Sequence, residues 1–240
     1  MLFARYAFGP NRLGLCGPED WRALLQLGSS GEDDRALREL AQGFEGAYPY
    51  LELLAREAAF PDPLDRRVVE AYWLGTGLAA TVRPAALGQS IEERFRSRLR
   101  PDGWRWLAEK PGQGARPIHS FHVLDVFPRL GLLRGEDVSD SLKIMDSCRI
   151  RWGRALEVAG GQMVVAVPCL EMTNGKLRLG DPRVQTVQRW IDGAGFVDDV
   201  APGDMVSLHW NWACDRLDQG SLRALVRSTA RQLAITNLTI

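Results

Sequence analysis

Apolar residues recur at helical spacing through the first half of the chain and at strand spacing through much of the second. Residues 1–20 are Gly- and Pro-rich, and the glycine-rich loop around Cys16 leads through Gly17-Pro18-Glu19-Asp20 into Trp21, Leu24, Leu25 and Leu27. Proline and acids ahead of that apolar stripe suit a helix N-terminus. Over residues 33–58 the stripe continues through Leu37, Leu40, Phe44, Tyr50, Leu51, Leu54 and Ala58. Pro61-Asp62-Pro63 breaks it. From Asp65 onward Val68, Val69, Tyr72, Trp73 and Leu74 predict another helix, and Ile91, Phe95, Leu99, Trp104 and Leu107 predict one or two more. His119 to Pro128 reads either as a short strand or as a buried helix end.

Residues 141–214 read as strands. Ile150-Arg151-Trp152 and Ala155-Leu156-Glu157-Val158 run into the turn signal Ala159-Gly160-Gly161-Gln162, after which Met163 to Val167 forms the next apolar run. Asn174-Gly175 is a hairpin turn signal, with Lys176-Leu177-Arg178-Leu179 pairing back. Val184, Thr186, Val187 and Trp190 alternate, Phe196-Val197 follow, and Met205 to Trp210 is strongly apolar. Many short strands with turns fit a small closed barrel. Leu222, Leu225, Val226, Ala230 and Leu233 then return to helical spacing. The expected fold class is α+β: an N-terminal helical domain over residues 1–140, then a small OB-like β-barrel with a C-terminal helix over residues 141–240.

The chain has 240 residues, with 45% apolar and 25% charged side chains, the make-up of an ordinary globular protein. Thirty basic residues balance thirty acidic ones, which argues against a general nucleic-acid binder. No stretch approaches the roughly eighteen continuous apolar residues of a membrane span. The N-terminus lacks a charged region followed by an apolar run and a cleavage site. Cys16, Cys148, Cys169 and Cys214 form no Cys-x-x-Cys pair, so a zinc ribbon or thioredoxin-type site is not expected. The expectation is a cytoplasmic protein with reduced thiols.

The sharpest candidate chemistry is Cys148, just ahead of one predicted strand, with His209 inside a later one. Thiolate and imidazole together suit a soft metal or a nucleophile. Arg149, Arg151 and Arg154 lie close in sequence, and positive charge lowers a thiol pKa. As a ligand, His209 needs a partner that fixes its tautomer, and Asp204 or Asp215 could serve. An alternative site is His119, His122 and Asp125, whose i, i+3 spacing on a helix shares one face; two structural histidines fit the same spacing. Cys214 stands five positions beyond His209, so a shared site on one strand needs a bulge. Trp152, Trp190, Trp210 and Trp212 cluster near the proposed site and fill a core or, where exposed, dock a partner. On the second reading Cys148, Arg149, Arg151, Trp152, Trp210 and Trp212 form the partner surface. The acidic runs Glu32-Asp33-Asp34 and Asp198-Asp199 read as solvated surface.

Residues 148–217 resemble the HypC/HupF family of nickel–iron hydrogenase maturation chaperones. Cys148-Arg149-Ile150-Arg151-Trp152-Gly153-Arg154-Ala155 resembles the family's opening, matching its cysteine, glycine and basic residue, with Trp152 where the family has proline. Gly203-Asp204-Met205-Val206-Ser207-Leu208-His209-Trp210-Asn211-Trp212-Ala213 resembles its closing segment, with Asn211-Trp212 where the family has Gly-Phe. Residues 169–200 are an insertion, and Cys148 is internal where the family cysteine is N-terminal. Phe3 to Asn11 and Leu208-His209-Trp210 also resemble uncharacterised proteins encoded beside hydrogenase genes. The resemblance implies a small barrel and a non-enzymatic accessory role. It implies that Cys148 and His209 hold iron transiently, with a hydrogenase large-subunit precursor or an iron-group assembly scaffold as partner. Two other readings stay open: a metal-dependent enzyme built on His119 and His122 with a carboxylate or thiolate, and a purely structural interaction module.

Overall fold

Helix caps written into the sequence set several boundaries of the fold. In chain order the helices are α1 (Leu2–Arg12), α2 (Trp21–Ser29), α3 (Arg35–Gln42), α4 (Tyr48–Glu57), α5 (Arg66–Leu74), α6 (Pro84–Phe95), α7 (Pro101–Ala108), the short α8 (His119–Phe121) and α9 (Val138–Cys148). Strands β1 (Arg151–Ala159), β2 (Gln162–Thr173), β3 (Lys176–Gln188), β4 (Trp190–Ile191), β5 (Ala194–Gly195), β6 (Met205–His209) and β7 (Trp212–Arg216) follow, and α10 (Gln219–Thr236) comes last. The computed structural model describes residues 2–30, 35–130 and 138–240. The acidic run Glu32-Asp33-Asp34 lies outside them. Asp20 caps α2 by accepting the Ala23 N–H, and Asp65 caps α5 by accepting that of Arg67. Gly75 closes α5 in the left-handed conformation. Pro84 and Pro101 open α6 and α7, where a missing N–H costs nothing.

The fold is α+β, with helices first, a five-stranded barrel and a closing helix. Among the described residues no helix is long and apolar enough to cross a membrane. Three local expectations change. Part of the Gly/Pro-rich opening is the helix α1, because Leu2, Phe3, Tyr6, Ala7, Phe8 and Pro10 all bury there and packing outweighs poor propensity. The stretch 33–58 holds two helices, α3 and α4. Residues 141–148, expected to begin the strands, complete α9: Leu142 and Met145 stand at i, i+3, and Lys143 pairs with Asp140 at 2.8 Å. His119 to Val126 takes the helical alternative, with α8 running into a π-helical turn over His122–Val126.

The chain divides into two compact, interleaved units rather than at residue 140. The first gathers Met1–Tyr48, Asp146–Cys169 and Leu179–Arg223, and the second Pro49–Met145, Leu170–Arg178 and Ala224–Ile240. Strands begin only at Arg151, after α9. Packing, which joins α1 to the strands, marks the units.

In the barrel the strand order is β1-β2-β3-β7-β6, closed by antiparallel pairing of β6 with β1, Arg151 opposite Leu208 and Arg154 opposite Met205. The Asn174-Gly175 turn predicted between β2 and β3 has positive φ at both residues, the type that matches strand twist. Residues 169–200 hold all of β3 and the separate β4–β5 hairpin; Phe196 and Val197 lie beyond that hairpin, outside any strand. In the first unit α1 packs on β6 and β7, where Trp212, 1% exposed, meets Phe8 at a ring-centroid distance of 4.5 Å. Gly9 permits this approach: a Cβ there would lie 2.5 Å from the His209 carbonyl oxygen. The second unit has its own aromatic core, with Tyr50 stacked on Tyr72 and Phe121 edge-on to Tyr50.

Candidate functional site

His209 is the last residue of β6 and is buried. Its Nδ1 lies 2.6 Å from the backbone carbonyl oxygen of Tyr6 in α1. A carbonyl only accepts, so Nδ1 carries a ring hydrogen, and in the neutral tautomer this leaves the lone pair on Nε2. The carbonyl is available for a reason legible in the chain: its helical partner four residues on would be Pro10, which has no N–H. The expected carboxylates are engaged elsewhere. Asp215 pairs with Arg5 at 2.8 Å, and Asp204 accepts the Ala201 N–H at 3.0 Å.

Cys148 closes α9 and is half-buried. Its Sγ and a ring nitrogen of His209 lie within 4.8 Å of each other. Backbone hydrogen bonds bring the two elements together. Trp210, next after His209, donates its N–H to the carbonyl of Ser147, next before Cys148, at 2.7 Å. Arg151 donates a short hydrogen bond to the Trp210 carbonyl. Trp210 has φ 56°, a conformation rare for a bulky side chain, and these two hydrogen bonds hold it there. The turn after β6 is thus fastened at the point where His209 must face Cys148.

The arginines do not activate Cys148 as expected. Arg149 is buried against Asp146, with Nη2–Oδ1 at 2.8 Å, and donates to the Pro168 carbonyl at 2.6 Å. Arg151 donates to Gln185 at 3.0 Å, with Asp146 at 3.9 Å. Burial, aided by the nearby thiol of Cys16, pushes the Cys148 thiol up to about 12. Resting Cys148 is therefore a neutral thiol at pH 7. Cys169 is the cysteine that feels Arg151, Arg183 and Arg149, and even there burial keeps the pKa above its ordinary value.

His119 and His122 have different tyrosine partners within the second unit. His119 Nδ1 lies 3.2 Å from the Tyr72 hydroxyl, and His122 Nδ1 lies 3.4 Å from that of Tyr50. Asp125, fully buried, forms an ion pair with the equally buried Lys110 at 3.4 Å; its Oδ2 accepts hydrogen bonds from Thr236 at 2.8 Å and from Gln232. Lys110 also donates to the Ile235 carbonyl at 2.8 Å and the Thr239 hydroxyl at 2.7 Å. Lys110, Gln232 and Thr236 occupy the carboxylate that a metal would need.

Of the expected partner surface, Arg149, Arg151, Trp152 and Trp212 are buried, so they fill the interior rather than an outer face. Trp190 and Trp210 are half-exposed. Cys16 lies in the loop between α1 and α2, where Asn11 donates to its carbonyl at 2.8 Å. Cys214 stands on β7, across a hairpin from His209 rather than farther along one strand. The register shift between Ser207 and Leu208 falls opposite it. Its Sγ is buried against the Trp212 carbonyl at 3.7 Å. Sequence reasoning missed the Tyr6 carbonyl and the Trp210–Ser147 hydrogen bond, because backbone groups carry no residue signature. Only Pro10 hints at the first.

One family matches the chain over residues 1–240, described as a family of unknown function (DUF6390). No curated protein and no solved structure matches the chain.

Proposed function

The chain belongs to this family of unknown function along its whole length, and from that premise we propose that it is a metal-handling accessory protein whose barrel takes up a soft transition-metal ion through Cys148 and His209. The observation that carries the reading is the approach of Cys148 Sγ and a His209 ring nitrogen within 4.8 Å, with His209 Nδ1 committed to the Tyr6 carbonyl. Metal-ligating histidines characteristically donate their second ring nitrogen to such an acceptor, which orients the ring and raises its basicity. A thiol and an imidazole suit iron(II), zinc or cobalt(II), and two protein donors leave coordination positions for ligands from a client. The HypC/HupF resemblance over residues 148–217 points to iron as the cargo. It also points to a hydrogenase large-subunit precursor, or the scaffold that assembles the iron group, as the client in the cytoplasm.

The chemistry is ligand exchange without turnover. Cys148 gives up its proton as sulfur bonds the ion, while neutral His209 donates its Nε2 lone pair and keeps its Nδ1 hydrogen on Tyr6. Because a thiol at about 12 must lose its proton, uptake is favoured by rising pH, and release is favoured when the proton returns.

Anaerobic titration with cobalt(II) tests the reading through the thiolate-to-cobalt absorption band. The expected result is one equivalent bound, with the band lost in Cys148→Ala and binding weakened in His209→Ala. An unchanged titration in both variants overturns it. The client is tested separately, by anaerobic pull-down of tagged protein from its host beside Cys148→Ala. A hydrogenase subunit or iron-group scaffold recovered only with the wild type supports the maturation role. Equal recovery with the variant, or none of either protein, overturns that part alone.

A further inference from the structure

Three arginines of the second unit converge on one cavity. It has a volume of about 290 Å³ and is lined by Arg116, Arg227 and Arg231, with Ser228, Gly75 and Gly114 among the remaining walls. Among the described residues no aspartate or glutamate lines it. The side chains of Arg116 and Arg227 make no hydrogen bond or ion pair with the described residues, and Arg231 donates only from Nε to the Gly114 carbonyl at 3.2 Å. Two other arginines of this unit are answered by carboxylates: Arg83 pairs with Glu57 at 2.9 Å and Arg66 with Glu70 at 2.7 Å. Arg116 is half-buried, and burial together with the charge of Arg231 holds its pKa below the ordinary arginine value. Among the described residues, the positive charge of Arg116 and Arg227 meets no carboxylate partner.

The backbone is shaped to leave this space. Gly114 has φ 93°, and a Cβ on it would sit 2.6 Å from Arg231 Nη2, so only glycine lets Arg231 lie where it does. Gly75 has φ 69°, and a Cβ there would meet the Ser228 Cβ at 2.3 Å. The Ser228 hydroxyl lies 3.0 Å from the carbonyls of Leu74 and Leu225. Its hydrogen is thus spent on the backbone, and the guanidinium groups supply the donors.

We propose that this cavity binds a small molecule through a multiply charged phosphoryl group, held by Arg116, Arg227 and Arg231. Guanidinium forks match phosphate oxygens in pairs, and three of them suit a group with several acceptor oxygens and more than one negative charge. The volume lies near the lower end of small-molecule sites, roughly 300–1,000 Å³, which fits a compact ligand rather than a polymer. The net neutral chain and the local character of the cluster also disfavour a nucleic-acid track. This site rests on residues distinct from those proposed to bind metal.

Isothermal titration of the full chain with pyrophosphate, at ionic strength fixed with sodium chloride, tests the proposal. The expected result is one saturable site per chain, weakened about tenfold or more in Arg116→Gln and in Arg231→Gln, as loss of a charge-assisted hydrogen bond implies. Arg83→Gln, which removes an arginine already held by Glu57, should bind as the wild type does. Circular dichroism checks the fold of each variant. Arg227→Gln, whose side chain is exposed, carries the comparison if Arg116→Gln fails to fold. No saturable heat with the wild type, or equal affinity in the folded arginine variants, overturns the proposal.

Discussion

Around Asp125, a buried carboxylate meets a lysine, a threonine hydroxyl and a glutamine amide, and the lysine in turn meets a carbonyl and a second hydroxyl. Around Cys148, a thiol kept neutral by burial stands beside a histidine whose tautomer is set by a backbone carbonyl. Both groupings hide polar side chains, but they use them differently. The first turns its side chains on one another, Lys110, Thr236 and Gln232 all facing the carboxylate, which is how a core keeps a charge pair. The second is oriented by backbone carbonyls and by Arg151, and leaves two side chains able to ligate a metal close to each other. Histidine and carboxylate at helical spacing made His119, His122 and Asp125 the alternative to Cys148 and His209, beside the reading of two structural histidines. At His122 and Asp125 the partners acquired on folding decide: a tyrosine hydroxyl faces the first, and Lys110, Gln232 and Thr236 face the second.

The largest expected effect would break the comparison on its structural side. Asp125→Ala leaves Lys110 buried without its carboxylate and should cost about 3–5 kcal/mol in chemical denaturation. A loss below about 1 kcal/mol would show that the cluster does not support the fold.

Gly9→Ala probes the contact that brings α1 to β6. Its Cβ would stand 2.5 Å from the His209 carbonyl, so a loss of about 1–3 kcal/mol is expected, with weaker cobalt binding as His209 shifts. An unchanged thermal midpoint would mean that α1 moves without cost.

Pro10→Ala sharpens the functional side, because stability and affinity should move in opposite directions. The new N–H competes for the Tyr6 carbonyl. Stability should hold or rise by up to about 3 kcal/mol, while cobalt affinity falls about tenfold. Equal affinity in the two proteins would remove Pro10 from the orienting device.

The smallest effects are in pH. His122 is pushed down from 6.5 to about 3, chiefly by burial, so the unfolded chain binds its proton first and stability should fall as pH drops from 6.5 toward 3. His122→Gln should flatten that slope. Cys148 is pushed up from 9.0 to about 12, so the unfolded chain ionises first and stability should fall as pH rises from 9 toward 12. Cys148→Ala should remove its share of that alkaline loss, and thermal midpoints across both windows check the two signs.

Much of the fold was legible where one residue type forces one local geometry. Asp20 and Asp65 cap helices, Pro84 and Pro101 open them, and Asn174-Gly175 turns a hairpin, because each choice is settled within a few residues. The candidate pair was legible as chemistry, since only a few side chains ligate soft metals. Its activation was not. Arg149 and Arg151 look from sequence like an electropositive setting for Cys148, but on folding they turn to Asp146 and the backbone.

By itself the sequence determined the α+β class, the place of several helices, the Asn174-Gly175 hairpin and the residue types able to hold a metal, because those follow from spacing and local stereochemistry. Only the tertiary structure decided that α1 joins the barrel, that Tyr6 lends its carbonyl to His209, and that three arginines separated along the chain share a cavity. Such contacts form between residues distant in sequence. Their geometry depends on how whole elements pack, and no short pattern encodes it.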